Sequence, residues 1–408
     1  RQARPRPSAA ASDDPALRPY RAENYSLRSS SRARSRSKMP LVLGGVAVLA
    51  AVMCIAFVVS GLFSNESRSG DSGDTAQPTS PLEALVPSDN EASAVVDDVV
   101  MTLGGDRDTY VLVGEDYLEA GCHAVDPEEG DITSTVEVSG SVDTSKAGNY
   151  TITYTARTSD GGRAVAERTV HVVDSFESFG GNATSLPVLM YHYVYTESDA
   201  PADLNGNYLL DTKLDAQLQY LVDNDYYYPS FQEVKAYAEG THTLPARSVV
   251  LTFDDCETGF LKYGVPLLEK HQVPATSFVI CSDEDASQKI HDNASPYVSY
   301  QSHSYAMHQA GSNVGRGGRI HAMTQEEIAD DLRQAQSILG TTEAFAYPFG
   351  DNNELAQAAL RDTGVLCAFT IVNDRVYVGD DPTVLSRVRI SGEYTQESFE
   401  YLVAPNAA

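Results

Sequence analysis

The pattern of hydrophobic and polar residues changes character three times along the chain. The first feature is an apolar run from Leu41 to Phe63 without a charged residue. At a helical rise of about 1.5 Å per residue this run reaches roughly 34 Å, enough to cross a hydrocarbon core of about 30 Å. The hydrophobic core of a cleaved signal peptide, the alternative interpretation, is shorter at about 7–15 residues. The pattern therefore favours a transmembrane helix over residues 40–63.

The charges that flank this run predict its orientation. Residues 1–39 contain ten Arg and Lys but only three Asp and Glu, whereas Glu66, Asp71 and Asp74 follow the run. By the positive-inside rule, residues 1–39 are a cytoplasmic tail and the remainder lies outside the cell. Residues 64–96 are rich in Ser, Asp, Pro and Gly and predict a flexible linker. We therefore expect a single-pass protein of the cell membrane with extracellular C-terminal domains.

Residues 97–174 show the period-2 alternation of half-buried strands. Tyr150, Ile152 and Tyr154 alternate with threonines, and turns rich in Gly and Asp separate the apolar runs. Several short strands within about 78 residues predict a small β-sandwich. The predicted strands are Tyr110–Val113, Thr135–Val138, Tyr150–Arg157 and Ala164–Val173.

Residues 184–404 alternate between strand and helix patterns. Repeated βα units predict an α/β domain with a parallel sheet or barrel, in which the chemistry collects at the carboxyl ends of the strands. The predicted strands are Pro187–Tyr191, Ser248–Phe253, Ala275–Cys281, Tyr297–Gln301, Ala344–Tyr347 and Val365–Ile371. The predicted helices are Lys213–Val222, Phe260–Glu269, the segment from the Thr324 capping box to Gly340, and Glu354–Arg361.

Composition and charge narrow the classes of partner. The formal net charge of the 408 residues is −28, and residues 40–408 contain 54 acidic and only 19 basic side chains. A body this acidic argues against nucleic acid as a partner, because phosphates need cationic neutralisation. Four cysteines outside the apolar run are too few for a disulfide scaffold. Cys256 and Cys281 follow strand-like runs, and they either pair or stay free and buried.

Polar residues at the ends of three predicted strands are the candidate metal-binding and catalytic residues. Asp254 and Asp255 end a buried strand, where a metal or a positive partner would relieve their repulsion, although a solvated turn is the alternative. His303 and His308 follow another strand and converge only on a loop, because a regular helix would separate them. One Asp and two His with an open water position are typical of a catalytic metal site. His192, after the first strand, is a candidate general acid.

Four motifs occur in order along residues 184–404. They are Leu189-Met-Tyr-His192, Thr252-Phe-Asp-Asp255, His303 to His308 and Phe345-Ala-Tyr-Pro-Phe-Gly350. Together they resemble the polysaccharide deacetylase (NodB-homology) family, also called carbohydrate esterase family 4. The early position of His192 is similar to the poly-N-acetylglucosamine deacetylase branch, and Leu385–Ile390 resembles the terminal strand of that branch.

In residues 97–174, the stretches Ala124–Ile132 and Asp143–Tyr154 resemble the bacterial immunoglobulin-like (Ig-like) modules of surface proteins. Such modules are usually spacers and sometimes weak glycan or protein binders.

The resemblance implies a distorted (β/α) barrel and a role for each matching residue. Asp255, His303 and His308 would hold a divalent metal, commonly zinc, with cobalt and nickel also compatible with these ligand types. Asp254 would be the general base and His192 the general acid. The remaining implied residues are a backbone N–H near Phe349 as oxyanion donor, and Tyr191 and Tyr347, which either line a sugar groove or pack in the core.

Three departures from the family pattern are visible. Cys256 stands where Gly usually follows the aspartate pair, and Ala346 stands where many members have an Arg that tethers the base. Arg387 is the residue that we expect to substitute for that Arg. The polar stretch between Cys281 and Tyr297 is short, which suggests a missing or altered barrel helix.

The sequence as a whole predicts a membrane-tethered, metal-dependent N-deacetylase. Its substrate would be an N-acetylated polysaccharide of the cell wall or cell surface, such as peptidoglycan or poly-N-acetylglucosamine. Two alternatives remain at this point: an inactive glycan-binding or structural surface protein, and an O-deacetylase of an acetylated polysaccharide. The single tether and the flexible linker favour a monomer.

Overall fold

The computed structural model describes residues 98–309, 318–341 and 343–405. The predicted cytoplasmic tail, transmembrane helix and linker lie outside the described residues. Among the helices that the structure does describe, none combines the length and the apolar character needed to cross a membrane. The described chain begins with a β-sandwich and continues into a barrel, in the order that the sequence predicts.

Seven strands lie between residues 98 and 174. They are β1 (Val100–Leu103), β2 (Asp108–Leu112), β3 (Cys122–Asp126), β4 (Gly130–Asp131), β5 (Glu137–Ser139), β6 (Gly148–Arg157) and β7 (Arg163–Val173). One sheet has the order β1-β3-β4 and the other the order β2-β7-β6-β5. Alternate side chains of β6 and β7 are buried, as the period-2 pattern predicts. The predicted strand Thr135–Val138 is shortened, because Thr133–Thr135 form a turn of 3-10 helix.

Seven parallel strands close the second part into a barrel, in the order β8-β11-β12-β13-β14-β15-β16. Two further short strands, β9 and β10, pair with each other beside the barrel. All residues of β8, β11 and β12 are buried, as expected for parallel strands that are covered on both faces. The strands are β8 (Val188–Tyr191), β9 (Tyr193–Tyr195), β10 (Tyr208–Leu210), β11 (Val250–Phe253), β12 (Ala275–Val279), β13 (Val298–Ser302), β14 (Ala344–Ala346), β15 (Cys367–Asn373) and β16 (Leu385–Arg389).

Helices surround the barrel, and the three at Asp211–Asp223, Gln325–Leu339 and Glu354–Asp362 lie where the sequence predicts helices. The predicted helix Phe260–Glu269 opens instead with a π-helical turn, Phe260–Gly264. The stretch in which we expected a missing or altered helix contains a short helix, Ala286–Asp292. The sequence patterns do not predict the helices Phe231–Glu239 and Gln396–Val403. The helices are α1 (Asp211–Asp223), α2 (Phe231–Glu239), α3 (Val265–His271), α4 (Ala286–Asp292), α5 (Gln325–Leu339), α6 (Glu354–Asp362) and α7 (Gln396–Val403).

The β-sandwich packs directly against the end of the barrel at which the strands begin. The Asp106 amide donates to the Tyr228 carbonyl oxygen at 2.8 Å. The Glu115 carboxylate accepts from the Thr243 hydroxyl at 2.6 Å and from the Thr243 amide at 3.0 Å. The turn after β1 lines a cavity of about 40 Å³ together with the first residues of β11 and β12. These contacts cover the end of the barrel at which the strands begin. The candidate site residues lie at the opposite end, where the strands end.

Gly105 of the β-sandwich lies close to the barrel backbone across this interface. Gly105 has a φ of +74°, and a Cβ atom there would lie 2.7 Å from the Ser230 backbone nitrogen. Gly161, in a turn of the same β-sandwich, has a φ of +92° with no atom within 4 Å of such a Cβ. The two glycines therefore share the left-handed backbone but differ in contact with the barrel.

We expect Gly105→Ala to lower the free energy of unfolding by about 1–3 kcal/mol more than Gly161→Ala does. Both variants place alanine in a left-handed backbone, so only the clash with Ser230 distinguishes them. Denaturant unfolding of the two variants measures the difference. Equal losses of stability would show that the interface is not formed in solution.

Candidate active site

Two consecutive left-handed residues place the aspartate pair at the mouth of the barrel. Asp254 and Asp255 follow β11 directly. Asp255 has a φ of +74° and Cys256 a φ of +49°, a conformation that residues other than glycine adopt rarely. Ser304, after the strand β13, shares this feature with a φ of +76°. Such conformations persist where the surrounding structure enforces them, and they are concentrated at functional sites.

Asp255, His303 and His308 form one cluster of potential metal ligands. The Asp255 Oδ1 atom lies 3.4 Å from the Nε2 atom of each histidine. One ligand atom from each of the three residues lies within 4.8 Å of the other two. Two imidazole nitrogens and one carboxylate oxygen match the donor set of catalytic zinc sites, which keep a further position open. The residues present therefore fit a divalent transition metal.

Hydrogen bonding and charge prepare these side chains to bind a cation. The Nδ1 atom of His303 donates to the Ala346 carbonyl oxygen at 2.8 Å, which directs its Nε2 atom towards Asp255. Burial alone would raise the pKa of Asp255, but the two histidines and His192 outweigh burial and hold it well below its usual range. Burial lowers the pKa of His308 to about 4, so this imidazole is neutral near pH 7.

A buried arginine holds Asp254 through two parallel hydrogen bonds. The Arg387 guanidinium donates to both carboxylate oxygens of Asp254 at 2.7 Å, and its side chain is fully buried. Burial opposes the charged form of Asp254, but the charge and hydrogen bonds of Arg387 outweigh it and lower the pKa of the carboxyl group. Arg387 lies in β16 and also donates to the Thr370 carbonyl oxygen at 3.0 Å. Arg387 thus makes the expected contact with Asp254. It substitutes for the arginine that many family members have at the position of Ala346.

His192 lies beside Asp254. Its Nε2 atom is 4.0 Å from the Asp254 Oδ2 atom, and its side chain is 15 % exposed. Burial lowers the pKa of His192, and the carboxylates of Asp254 and Asp255 oppose that shift only in part. The imidazole therefore lies within the mouth of the barrel, next to the expected base and outside the three-residue cluster.

Of the three residues implied for the oxyanion and the sugar groove, one lies at the mouth of the barrel and two lie in the core. Phe349 has a φ of +59°, is 43 % exposed, and its ring centroid lies 4.5 Å from that of His308. Tyr191 is buried, stacks on Phe253 and donates to Gln217, whereas Tyr347 is buried and donates to the Thr383 carbonyl oxygen. The structure therefore corrects the expectation of a sugar contact for Tyr191 and Tyr347, because both rings point into the core.

Cys256 and Cys281 are both buried and both free. Of the two interpretations of this pair, the structure contains the free thiols. Burial raises the pKa of Cys256 to about 11 and that of Cys281 to about 12. Both thiols are therefore protonated near neutral pH and pack as small apolar side chains.

An open groove of about 310 Å³ leads to the ligand cluster. One of its walls contains Tyr193, whose hydroxyl donates to the Asp255 Oδ2 atom at 2.7 Å. No spacing pattern in the sequence indicates a functional role for Tyr193, since a tyrosine in an apolar strand pattern usually packs in a core. The remaining residues that line the groove are Asp255, Cys256, Glu257, Thr258, Ile280, Asp283, Lys289 and His308.

Two protein families match separate parts of the chain. Residues 101–172 match the family of bacterial surface protein Ig-like domains. Residues 241–368 match the polysaccharide deacetylase family. The second match includes Asp254, Asp255, His303 and His308, whereas His192 and Arg387 lie outside it.

Curated relatives and solved structures add similarities over about half of the chain. Poly-β-1,6-N-acetyl-D-glucosamine N-deacetylase of Staphylococcus epidermidis is 24% identical over 210 residues, which cover 47% of this chain and 70% of the relative. The protein of the same name from Staphylococcus aureus strain MRSA252 is 21% identical, with 47% and 69% covered. The Streptococcus pyogenes deacetylase PplD in complex with acetate is 22% identical, with a TM-score of 0.47, and the match covers 55% of this chain and 100% of PplD. IcaB from Ammonifex degensii is 26% identical, with a TM-score of 0.44, and 54% and 96% are covered.

Proposed function

From the presence of a polysaccharide deacetylase domain that follows an Ig-like surface domain, we propose that this protein is a metal-dependent N-deacetylase. The reaction is hydrolysis of the acetamide groups of N-acetylglucosamine units in a surface or cell-wall glycan, with release of acetate. The observation that carries this proposal is the Asp255, His303 and His308 cluster beside the Asp254 carboxylate that Arg387 holds.

The three clustered side chains are the proposed holders of the metal. Zinc is our first candidate, and cobalt and nickel accept the same nitrogen and oxygen donors. A divalent ion bound there supplies Lewis acidity, which polarises the acetamide carbonyl and lowers the pKa of a water. The neutral imidazole of His308 and the ionised carboxylate of Asp255 are in the protonation states that such binding requires.

Asp254 and His192 are the proposed proton acceptor and proton donor. Asp254 accepts a proton from the water that attacks the carbonyl carbon, and Arg387 keeps the carboxylate ionised and oriented for that transfer. The C–N bond then breaks, and the departing sugar nitrogen takes up a proton from the protonated form of His192, whose Nε2 atom lies 4.0 Å from Asp254. The products are acetate and a glucosamine unit. A backbone N–H near Phe349 remains our candidate for stabilising the oxyanion.

The names of the relatives suggest a substrate, and the sequence and the Ig-like family match suggest a location. The staphylococcal relatives carry the name poly-β-1,6-N-acetyl-D-glucosamine N-deacetylase, so we propose a β-1,6-linked N-acetylglucosamine polymer as the first substrate to test. The apolar run Leu41–Phe63 with its basic flank supports a membrane tether, and the Ig-like surface family of residues 101–172 supports an extracellular position.

A comparison of polymers tests this function. Acetate and free amine are measured after incubation of the zinc-loaded protein with β-1,6-linked N-acetylglucosamine oligomers, with intact peptidoglycan and with acetylated xylan. We expect equimolar acetate and amine, formed faster from the β-1,6-linked oligomers than from peptidoglycan. Acetate from xylan alone would show an O-deacetylase, and binding without acetate from any polymer would show an inactive glycan-binding protein.

A further inference from the structure

The two carboxylate oxygens of Asp255 have different partners. The Oδ1 atom faces the Nε2 atoms of His303 and His308 at 3.4 Å. The Oδ2 atom accepts a hydrogen bond from the Tyr193 hydroxyl at 2.7 Å. The Tyr193 hydroxyl therefore donates to the oxygen of Asp255 that does not make the 3.4 Å contacts with the histidines.

Packing fixes the position of the Tyr193 ring independently of this hydrogen bond. Tyr193 begins β9, which runs parallel to β10 and aligns Tyr193 with Tyr208. The two ring centroids are 4.8 Å apart, and the Tyr193 ring also meets the His192 imidazole edge-on at 5.8 Å. A half-buried ring between these neighbours presents its hydroxyl in one direction, which is the requirement for orienting another side chain.

We propose that Tyr193 is a positioning residue that makes Asp255 offer one oxygen atom to the metal. A carboxylate that binds through both oxygens occupies two coordination positions, whereas a catalytic site needs positions for water and substrate. With Oδ2 engaged by the Tyr193 hydroxyl, Oδ1 alone faces the ligand cluster. The same bond opposes rotation of Asp255, whose backbone is already left-handed. This inference rests on the proposed metal-dependent function and adds a residue to it.

Loss of the hydroxyl has two expected consequences. Hydrogen-bond partners of metal ligands typically contribute about 10–100-fold to metal affinity or activity. We expect Tyr193→Phe to weaken Zn²⁺ binding by about 10-fold and to lower kcat by a similar factor, with KM nearly unchanged. Because the freed Oδ2 atom can then approach the metal, the visible absorption of the Co²⁺-substituted protein should also change, since that absorption reports coordination number and geometry.

The matched control is Tyr195→Phe. Tyr195 lies two residues further along β9, and its ring also contacts Tyr208, at a centroid distance of 6.4 Å. Both variants keep the aromatic ring and remove one hydroxyl, so a general loss of packing in β9 would affect them alike. We expect the Zn²⁺ affinity and the Co²⁺ spectrum of Tyr195→Phe to equal those of the unmodified protein.

Zn²⁺ titration, Co²⁺ absorption and steady-state acetate release, measured on the same three proteins, decide the proposal. Weaker Zn²⁺ binding and an altered Co²⁺ spectrum in Tyr193→Phe alone would support it. Zn²⁺ affinity and a Co²⁺ spectrum equal to those of Tyr195→Phe would overturn it, and an increase in KM alone would assign Tyr193 to substrate contact instead. Because the metal measurements need no substrate, failure of the positioning role is distinguishable from absence of deacetylase activity.

Discussion

Replacing Asp254 with asparagine lowers the rate of acetate release by about 10²–10⁴-fold, the range expected when a general base is removed. The amide keeps the shape of the side chain but cannot accept the proton of the attacking water. Asp254 lies outside the cluster of Asp255, His303 and His308, so the variant should bind one equivalent of Zn²⁺ as the unmodified protein does. Acetate release and metal content, measured on the same sample, check both statements.

The control for this variant is Asp283→Asn. Asp283 lines the same groove, and its carboxylate is 3.6 Å from the Lys289 ammonium group, without a contact to Asp254. We expect this variant to keep most of its activity, because a partly exposed ion pair contributes little. If Asp254→Asn retained as much activity as Asp283→Asn, another group would have to be the base.

Replacing Arg387 with methionine has the largest expected effect on stability. The Arg387 side chain is fully buried, and the side chain of Asp254 is only 4% exposed. Removal of one partner leaves an uncompensated buried charge, which costs about 3–5 kcal/mol of unfolding free energy. The variant should also lose activity, since Asp254 would no longer be held ionised in one orientation. Denaturant unfolding measures the loss of stability.

A double variant and a surface control distinguish the loss of a buried charge pair from the loss of any arginine side chain. In Asp254→Asn/Arg387→Met the unpaired carboxylate is gone, so we expect part of the stability to return without activity. Arg361→Met removes an exposed pair with Asp381 and should change the unfolding free energy by less than about 1 kcal/mol. A loss in Arg387→Met no larger than in Arg361→Met would contradict a buried charge pair at the site.

The sequence pattern predicts the fold of both domains because buried residues recur with the period of the secondary structure in which they lie. The strand β7 alternates buried and exposed residues, and β11 is buried throughout, so their periods predict a sandwich and a parallel barrel. Local signals also predicted α5, whose capping box and terminal glycine are present in the structure. The helix α7 was missed, because its buried residues Phe399 and Val403 are too few to give a clear period.

The candidate site was predictable only as far as polar residues at strand ends reveal it. Asp254, Asp255 and the two histidines interrupt apolar patterns, and the structure brings all four together. Tyr193 gave no such signal, because its proposed role depends on the hydrogen bond that its hydroxyl donates to Asp255, beyond the ends of two neighbouring strands.

Burial and long-range contacts account for the other differences. Tyr191 and Tyr347 belong to the motifs, yet both rings are buried in the core, which the motifs alone do not reveal. The contact of Gly105 with Ser230 joins residues that are far apart in the sequence, and no local pattern encodes it.

A metal titration of acetate release tests the central claim most directly. The protein is first stripped with a chelator, and Zn²⁺ is then added in steps while acetate release from β-1,6-linked N-acetylglucosamine oligomers is measured. The Asp255, His303 and His308 site predicts no release from the stripped protein and an increase that ends at one equivalent of bound metal. Full release without metal, or no release with one equivalent bound, would contradict a metal-dependent deacetylase.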